Sequence, residues 1–128
     1  MSELRYPPAE GVAPGNGYSH VVTGHGQWVA ISGQVALDVD GRFVGLGDPG
    51  AQAEQVFANL QACLTAAGAT FENVVKLTFF VTDIGFLPAI RPVRDRYVPG
   101  PKPATTAVQV AALFSPDALL EIEAYAVI

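Results

Sequence analysis

Residues 48–68, DPGAQAEQVFANLQACLTAAG, contain the clearest helical pattern in the chain. Apolar side chains recur there at intervals of three and four residues, which places them on one stripe of a helix. The stripe comprises Val56, Leu60, Cys63, Leu64 and Ala67. Asp48 is a typical N-cap residue, Pro49 suits the first helical position, and Gly68 suits a left-handed C-terminal cap. We therefore predict a helix between Asp48 and Gly68 that buries one face.

Directly after this helix, residues 73–83, NVVKLTFFVTD, change to the period of two that is typical of a β-strand. One face carries Val75, Leu77, Phe79 and Val81, and the other carries Val74, Lys76, Thr78, Phe80 and Thr82. Because both faces carry large apolar side chains, this segment is predicted to be a central strand that is covered on both sides.

Shorter elements flank this helix and strand. Residues 18–36 are rich in β-forming side chains that Gly24 and Gly26 interrupt, and Asp40-Gly41 marks a hairpin turn. A second helix is indicated by apolar residues at spacings of four, three and four, although Pro92 removes one backbone hydrogen bond from it. These apolar residues are Phe86, Ile90, Val93 and Tyr97. Two closing strands, residues 105–113 and 119–128, are joined by a turn at Ser115-Pro116-Asp117.

The order of these elements predicts a single α+β domain over residues 1–128, with two helices on one face of a mixed sheet. In the last strand, Glu121 and Glu123 share the face that points away from the core. We expect this face to continue onto the preceding strand as a mixed polar and apolar surface, at a subunit interface that encloses a small polar cleft. The residues of the preceding strand on this surface are Thr105, Ala107, Gln109 and Ala111.

The charge balance narrows the classes of function. Seven Lys and Arg residues against twelve Asp and Glu residues give a net charge of −5, which argues against nucleic-acid binding. Charged residues make up only 15% of the chain, below the roughly 25% of ordinary soluble domains, and burial of one face in a homo-oligomer would account for this. No signal peptide or membrane helix is indicated, so we expect a cytoplasmic protein without membrane contact.

Other chemical motifs are not indicated by the sequence. Cys63 lies on the apolar stripe and is interpreted as a small core residue, because a thiol nucleophile needs an exposed electropositive setting. His20 and His25 lack a metal-ligand spacing, and the glycines between residues 45 and 50 lack the lysine of a phosphate loop. We therefore expect no metal site and no cofactor.

Five motifs stand in order along nearly the whole chain. They are Ser32-Gly33-Gln34, Ala66-Ala67-Gly68, the strand 74–83, Pro103-Ala104 before Val108-Gln109-Val110-Ala111, and Glu121-Ile122-Glu123-Ala124. Together these motifs resemble the pattern of the Rid/YjgF family. Each motif is weak alone, but their order and spacing make the set specific. The resemblance implies a chorismate-mutase-like homotrimer with clefts between neighbouring subunits. It also implies hydrolysis of reactive enamines and imines to 2-oxo acids and ammonia.

Only some of the family's pocket residues have a match in this sequence. Tyr18 matches the pocket tyrosine, Ser32 matches the strand serine, and Glu121 matches the acid that positions or activates water. The family arginine that binds the substrate carboxylate is replaced by Thr105, and the small residue two positions later is Ala107. The resemblance therefore implies Glu121 as the catalytic residue and the others as substrate-binding residues.

A further position, on the second helix, also departs from the family pattern, since Arg91 stands where an asparagine is common. Threonine offers one neutral donor, whereas a guanidinium binds a carboxylate through two charge-assisted hydrogen bonds. Loss of such a pair typically costs about 2–5 kcal/mol of binding. We hypothesise that Arg91 supplies the anion site from the helix side; the alternative is a solvated arginine in the cluster Arg91, Arg94 and Arg96.

Three functions remain open from the sequence. The first is an enamine or imine hydrolase in which Glu121 directs water at a substrate in an inter-subunit cleft. The second is a ligand-binding or regulatory trimer that has lost turnover. The third is a specialised enzyme, such as a lyase or cyclase, that uses the same cleft. If the last two strands pair as a hairpin, Thr105 and Glu121 lie far apart in one subunit, so a shared pocket must join two chains.

Overall fold

The computed structural model describes residues 3–128, which form four strands and two α-helices. The elements in chain order are β1 (Trp28–Gln34), α1 (Pro49–Ala66), β2 (Val74–Val81), α2 (Leu87–Tyr97), β3 (Ala104–Gln109) and β4 (Leu120–Val127). Single 3₁₀ turns, Phe71–Asn73 and Ile84–Phe86, precede β2 and α2. The α+β class and the mixed sheet with two helices are confirmed.

The strands form one sheet in the order β1-β4-β2-β3. β2 pairs in parallel with β3, whereas β4 is antiparallel to both β1 and β2. The predicted central position of β2 is confirmed. The last two strands do not pair as a hairpin about Ser115-Pro116, since β2 separates β3 from β4. Burial explains this order: Leu120, Ile122 and Ala124 of β4 are fully buried and need neighbours on both sides, while most of β3 is exposed at the sheet edge.

The caps of α1 are those that the sequence predicts. The Asp48 carboxylate accepts a hydrogen bond from the Ala51 amide at 3.1 Å, and Pro49 is the first helical residue. Gly68 follows the end of the helix with a φ of 77°, a left-handed conformation that glycine adopts without steric cost. Cys63 is half-buried and packs against the core. Within residues 3–128, neither α1 nor α2 combines the length and the apolar character needed to cross a membrane.

The predicted second helix is confirmed for Ile90, Val93 and Tyr97, whereas Phe86 lies in the preceding 3₁₀ turn. The helix contains Pro92, which cannot donate a hydrogen bond to residue 88. Ile90 and Val93 are buried against α1 and the sheet, as their spacing predicts. Arg94 is also buried, with 7% of its surface exposed, which the sequence pattern does not predict.

Two predicted strands are shorter than expected. Of residues 18–36 only Trp28–Gln34 form a strand, and the preceding segment makes isolated bridges from Ser19 to Ala104 and from Thr23 to Arg5. Gly26 separates the two parts with a φ of 145°, and a Cβ there would lie 2.4 Å from the Ile128 carbonyl oxygen. The strand predicted over residues 105–113 ends at Gln109.

The residues that were expected to share one polar and apolar surface lie on opposite faces of the sheet. Thr105 and Ala107 are in register with Leu77 and Phe79, whose side chains are buried under the helices. Glu121 is in register with Phe80 and points to the opposite face. The expectation that the odd-numbered residues of β3 share a surface with Glu121 and Glu123 is therefore wrong, because the parallel pairing with β2 turns them towards the helix side.

Candidate functional site

A cavity of about 180 Å³ lies between the exposed edge strand β3 and helix α2. Its walls bring together four of the six predicted site residues, from three separate parts of the chain. The lining residues are Asn16, Tyr18, Phe79, Leu87, Arg91, Arg94, Thr105 and Ala107. We refer to this space as the β3–α2 cavity.

The strand wall of the cavity follows from the sheet register. Thr105 and Ala107 point to the helix side of an edge strand, where they line open space beside α2. The Thr105 hydroxyl donates a hydrogen bond to the Pro103 carbonyl oxygen at 3.0 Å. Its single proton is therefore already used, which leaves the hydroxyl oxygen as an acceptor towards the cavity.

The N-terminal segment forms the second wall. The Ser19 amide donates to the Pro103 carbonyl oxygen at 3.3 Å, and Ser19 forms a parallel bridge with Ala104. These contacts hold Tyr18 beside the start of β3, next to Thr105 at the cavity wall. The Tyr18 ring also meets the His20 ring edge-on, with centroids 5.2 Å apart. A segment outside regular secondary structure thus has a defined position at the site.

Helix α2 supplies the cationic wall, with Arg91 and Arg94 one turn apart. Arg91 is exposed and reaches the same cavity as Tyr18 and Thr105. The Arg94 side chain is buried, and its Nε and Nη2 atoms contact Oδ1 of Asp95 at 2.9 Å and 2.8 Å. Partial burial raises the pKa of Asp95, but the hydrogen bond and charge of Arg94, together with Lys102, lower this pKa overall.

Sequence reasoning missed Arg94 as a cavity residue. Its position gave a usable signal, because Arg94 lies four residues after Ile90 and three before Tyr97, and so borders the apolar stripe of α2. The alternative of one solvated cluster of Arg91, Arg94 and Arg96 is wrong for Arg94, because helix geometry separates these side chains. Arg96 points away from the cavity and pairs with Glu54 of α1.

Ser32 and Glu121 lie apart from the β3–α2 cavity within this chain. Glu121 is on the sheet face opposite the helices, where its carboxylate lies against Gly33 of β1. Ser32 precedes Gly33 on the same strand and is exposed. The six predicted site residues therefore form two groups, one at the cavity and one on the open sheet face.

Comparison with known proteins agrees with this fold. The model of the family described as Endoribonuclease L-PSP matches residues 9–128. The chain is 42% identical over 102 residues to Protein DfrA of Myxococcus xanthus, covering 80% of this chain and 77% of that protein. It is 35% identical over 103 residues to the 2-iminobutanoate/2-iminopropanoate deaminase of Dermatophagoides farinae, covering 80% of each.

Solved structures of Rid family proteins share the fold of this chain. The Rid family protein YyfB of Yersinia pestis, described as a protein of unknown function, matches with a TM-score of 0.89 and 37% identity, over 98% of both chains. RidA of an Antarctic Psychrobacter matches with a TM-score of 0.75 and 37% identity, over 91% of this chain and 92% of that one. The resemblance inferred from the sequence motifs is confirmed: the chain belongs to the Endoribonuclease L-PSP family, which includes the Rid, YjgF and RutC proteins.

Proposed function

We propose that this protein hydrolyses reactive imines or enamines of small organic acids to a carbonyl compound and ammonia. The observation that carries this proposal is the convergence of Tyr18, Arg91, Thr105 and Ala107, which line one cavity although they are distant in sequence. A relative that is 35% identical is named as a deaminase of 2-iminobutanoate and 2-iminopropanoate. Both observations favour imine chemistry at this site.

The size and walls of the cavity suit a small substrate. Its volume of about 180 Å³ is below the roughly 300–1,000 Å³ of pockets that hold drug-sized ligands. Phe79 and Leu87 supply an apolar wall for a short side chain, and the arginines supply a polar wall for an anionic group. An imine that carries a carboxylate and a short alkyl group combines these two features.

The reaction requires water to add its oxygen to the carbon of the C=N bond while both of its protons finally pass to the nitrogen. The C–N bond then breaks, which leaves the carbonyl compound and releases the nitrogen as ammonia. We propose that Glu121 accepts a proton from the attacking water as a general base. Because Glu121 and the cavity lie on opposite faces of one sheet, Glu121 must act on the cavity of a neighbouring subunit. A homotrimer supplies such a neighbour, and the exposed apolar side chains Trp28, Val108 and Tyr125 support an interface.

A ligand-binding or regulatory trimer is the second candidate. Thr105 favours it, because its hydroxyl proton is committed to Pro103 and cannot replace the two charged donors of an arginine. A protein that keeps the cavity but binds its ligand without turnover would tolerate this replacement. The two candidates differ in whether Glu121 matters for product formation.

Release of ammonia and 2-oxo acid from iminoacids generated in the assay tests the proposal. We expect the natural protein to accelerate release and Glu121→Ala to lose about 10²–10⁴-fold of the rate, as for removal of a general base. Glu123→Ala is the matched control, since Glu123 is on the same face of the same strand two residues away. No acceleration by the natural protein, or equal losses in both variants, would reject general-base catalysis by Glu121.

A further inference from the structure

The β3–α2 cavity lies in the most positively charged part of an acidic chain. Four of the seven Lys and Arg residues fall within residues 91–102, which contain one acidic residue, Asp95. Asp95 is shared between Arg94 and Lys102, whose Nζ atom is 3.5 Å from the carboxylate. Arg91 makes no salt bridge with any residue in the described range 3–128. The cations at the cavity therefore exceed the anions that neutralise them.

The guanidinium of Arg94 binds a protein carboxylate through only one of its sides. Its Nε and Nη2 atoms contact Asp95, and within residues 3–128 no other group accepts a hydrogen bond from it. A guanidinium is a planar fork with five N–H donors, so an Nε–Nη2 pair on one carboxylate leaves the Nη1 side for a second anion. Asp95 thus fixes the orientation of the fork without using all its donors.

Gly17 lies close to the outer part of this guanidinium without adding a side chain there. Its φ is 79°, and a Cβ at this position would lie 3.0 Å from Nη2 and 3.5 Å from Nη1 of Arg94. Any other residue would be strained there and would press on the guanidinium. The chain thus lies beside Arg94 at a residue that carries no side chain.

We infer that Arg94, assisted by Arg91 one turn earlier, binds the carboxylate of a small anionic ligand and so replaces the arginine absent at position 105. Thr105 lines the same cavity from the opposite wall, so a cation on α2 reaches the same ligand from the other side. The inference deepens the proposed function, on which the identity of the anion as a 2-oxo or 2-imino acid rests. The anion site itself rests on the geometry of Arg94.

The burial of Arg94 argues against a purely structural role. Taking a cation out of water is costly unless its partners compensate, and exposed partners compensate poorly. The Arg94 side chain is 8% exposed, whereas its partner Asp95 is 51% exposed and is shared with Lys102. A carboxylate ligand in the cavity would give Arg94 a second anionic partner beside Asp95.

Binding of pyruvate, compared with its neutral analogue pyruvamide, tests the inference by calorimetric titration of the full chain. We expect Arg94→Gln to weaken pyruvate binding by at least about 30-fold and to leave pyruvamide binding unchanged. Arg94→Lys should show an intermediate loss, because it keeps the charge without the fork. Arg96→Gln is the matched control on the same helix, since its guanidinium pairs with Glu54 outside the cavity.

A second-site variant separates anion binding from structural support. We expect Arg94→Gln combined with Thr105→Arg to regain pyruvate binding, because position 105 faces the same cavity. If Arg94→Gln does not fold, the comparison uses Arg94→Lys with and without Thr105→Arg. Absence of pyruvate binding in the natural protein, an equal loss for pyruvamide, or no recovery with Thr105→Arg would overturn the inference.

The same variants distinguish this inference from the proposed function. Arg94-dependent pyruvate binding without any imine hydrolysis would keep the anion site and reject the hydrolase. Imine hydrolysis that is unchanged in Arg94→Gln would keep the hydrolase and reject the anion site.

Discussion

The carboxylate of Glu121 occupies the space beside Gly33 that any larger residue would need. A Cβ at position 33 would lie 2.0 Å from Oε2 and 2.8 Å from Cγ of Glu121. The conformation of the proposed general base therefore depends on a glycine in the neighbouring strand. A larger residue at position 33 would therefore displace the Glu121 side chain.

Gly33→Ala is expected to displace Glu121 while the fold is kept. The φ of Gly33 is not positive, so alanine fits the backbone, but its methyl group forces the glutamate side chain to move. We expect a loss of imine-hydrolysing activity and a destabilisation of about 1–3 kcal/mol. Activity assays and thermal unfolding measure these effects. Gly50→Ala is the control, since a Cβ at position 50 would lie no closer than 3.5 Å to Asp48. Unchanged activity in Gly33→Ala would show that the function of Glu121 does not depend on Gly33.

Gln52→Leu is expected to destabilise the protein by at least about 2 kcal/mol. The buried Gln52 amide donates to the carbonyl oxygens of Gly45 and Asp117 and accepts from the Leu119 amide. Leucine leaves the Asp117 carbonyl and the Leu119 amide without these partners, at about 1–3 kcal/mol each, whereas the Gly45 carbonyl keeps its hydrogen bond from the Asp48 amide. Urea unfolding measures the difference. Gln61→Leu on the exposed side of α1 should stay within about 0.5 kcal/mol, and similar losses in both variants would contradict this role.

Asp95→Asn is expected to lower the free energy of unfolding near neutral pH by about 0.2–1 kcal/mol, because the pair with Arg94 is partly exposed. The folded-state pKa of Asp95 is lowered, so its stabilisation is present above the unfolded pKa of about 3.9 and is lost as the pH falls through the folded pKa. Urea unfolding of both proteins between about pH 7 and pH 2 should show the difference closing on the acid side. A difference that persists at the lowest pH would exclude the charge as its origin.

Tyr125→Glu is expected to weaken the proposed trimer. Tyr125 and Trp28 expose 40% and 68% of their surfaces on the sheet face opposite the helices, with ring centroids 6.5 Å apart. A carboxylate in an apolar interface carries a desolvation cost without a partner. Sedimentation equilibrium should give the mass of three chains for the natural protein and a smaller mass for the variant. Val39→Glu, at a fully exposed residue, should leave the mass unchanged; a monomeric natural protein would disprove the trimer.

Local sequence signals predicted much of the fold. The limits of α1 follow from Asp48, Pro49 and Gly68, because caps act through neighbouring backbone groups. The two apolar faces of β2 placed that strand inside the sheet. The order and spacing of the family motifs identified the family. These features are encoded within short segments, so no tertiary contact is needed to recognise them.

The sequence by itself determined α1, β2, the fold class and the family, and it predicts that Thr105 stands where the family has its substrate-binding arginine. Only the tertiary structure decided that β2 separates β3 from β4, that Thr105 and Glu121 face opposite sides of the sheet, and that Arg94 is buried at the cavity. The alternation of a strand shows which residues share a face but not which face meets the helices. That choice depends on pairing between residues far apart in the chain, and so does the burial of a single arginine.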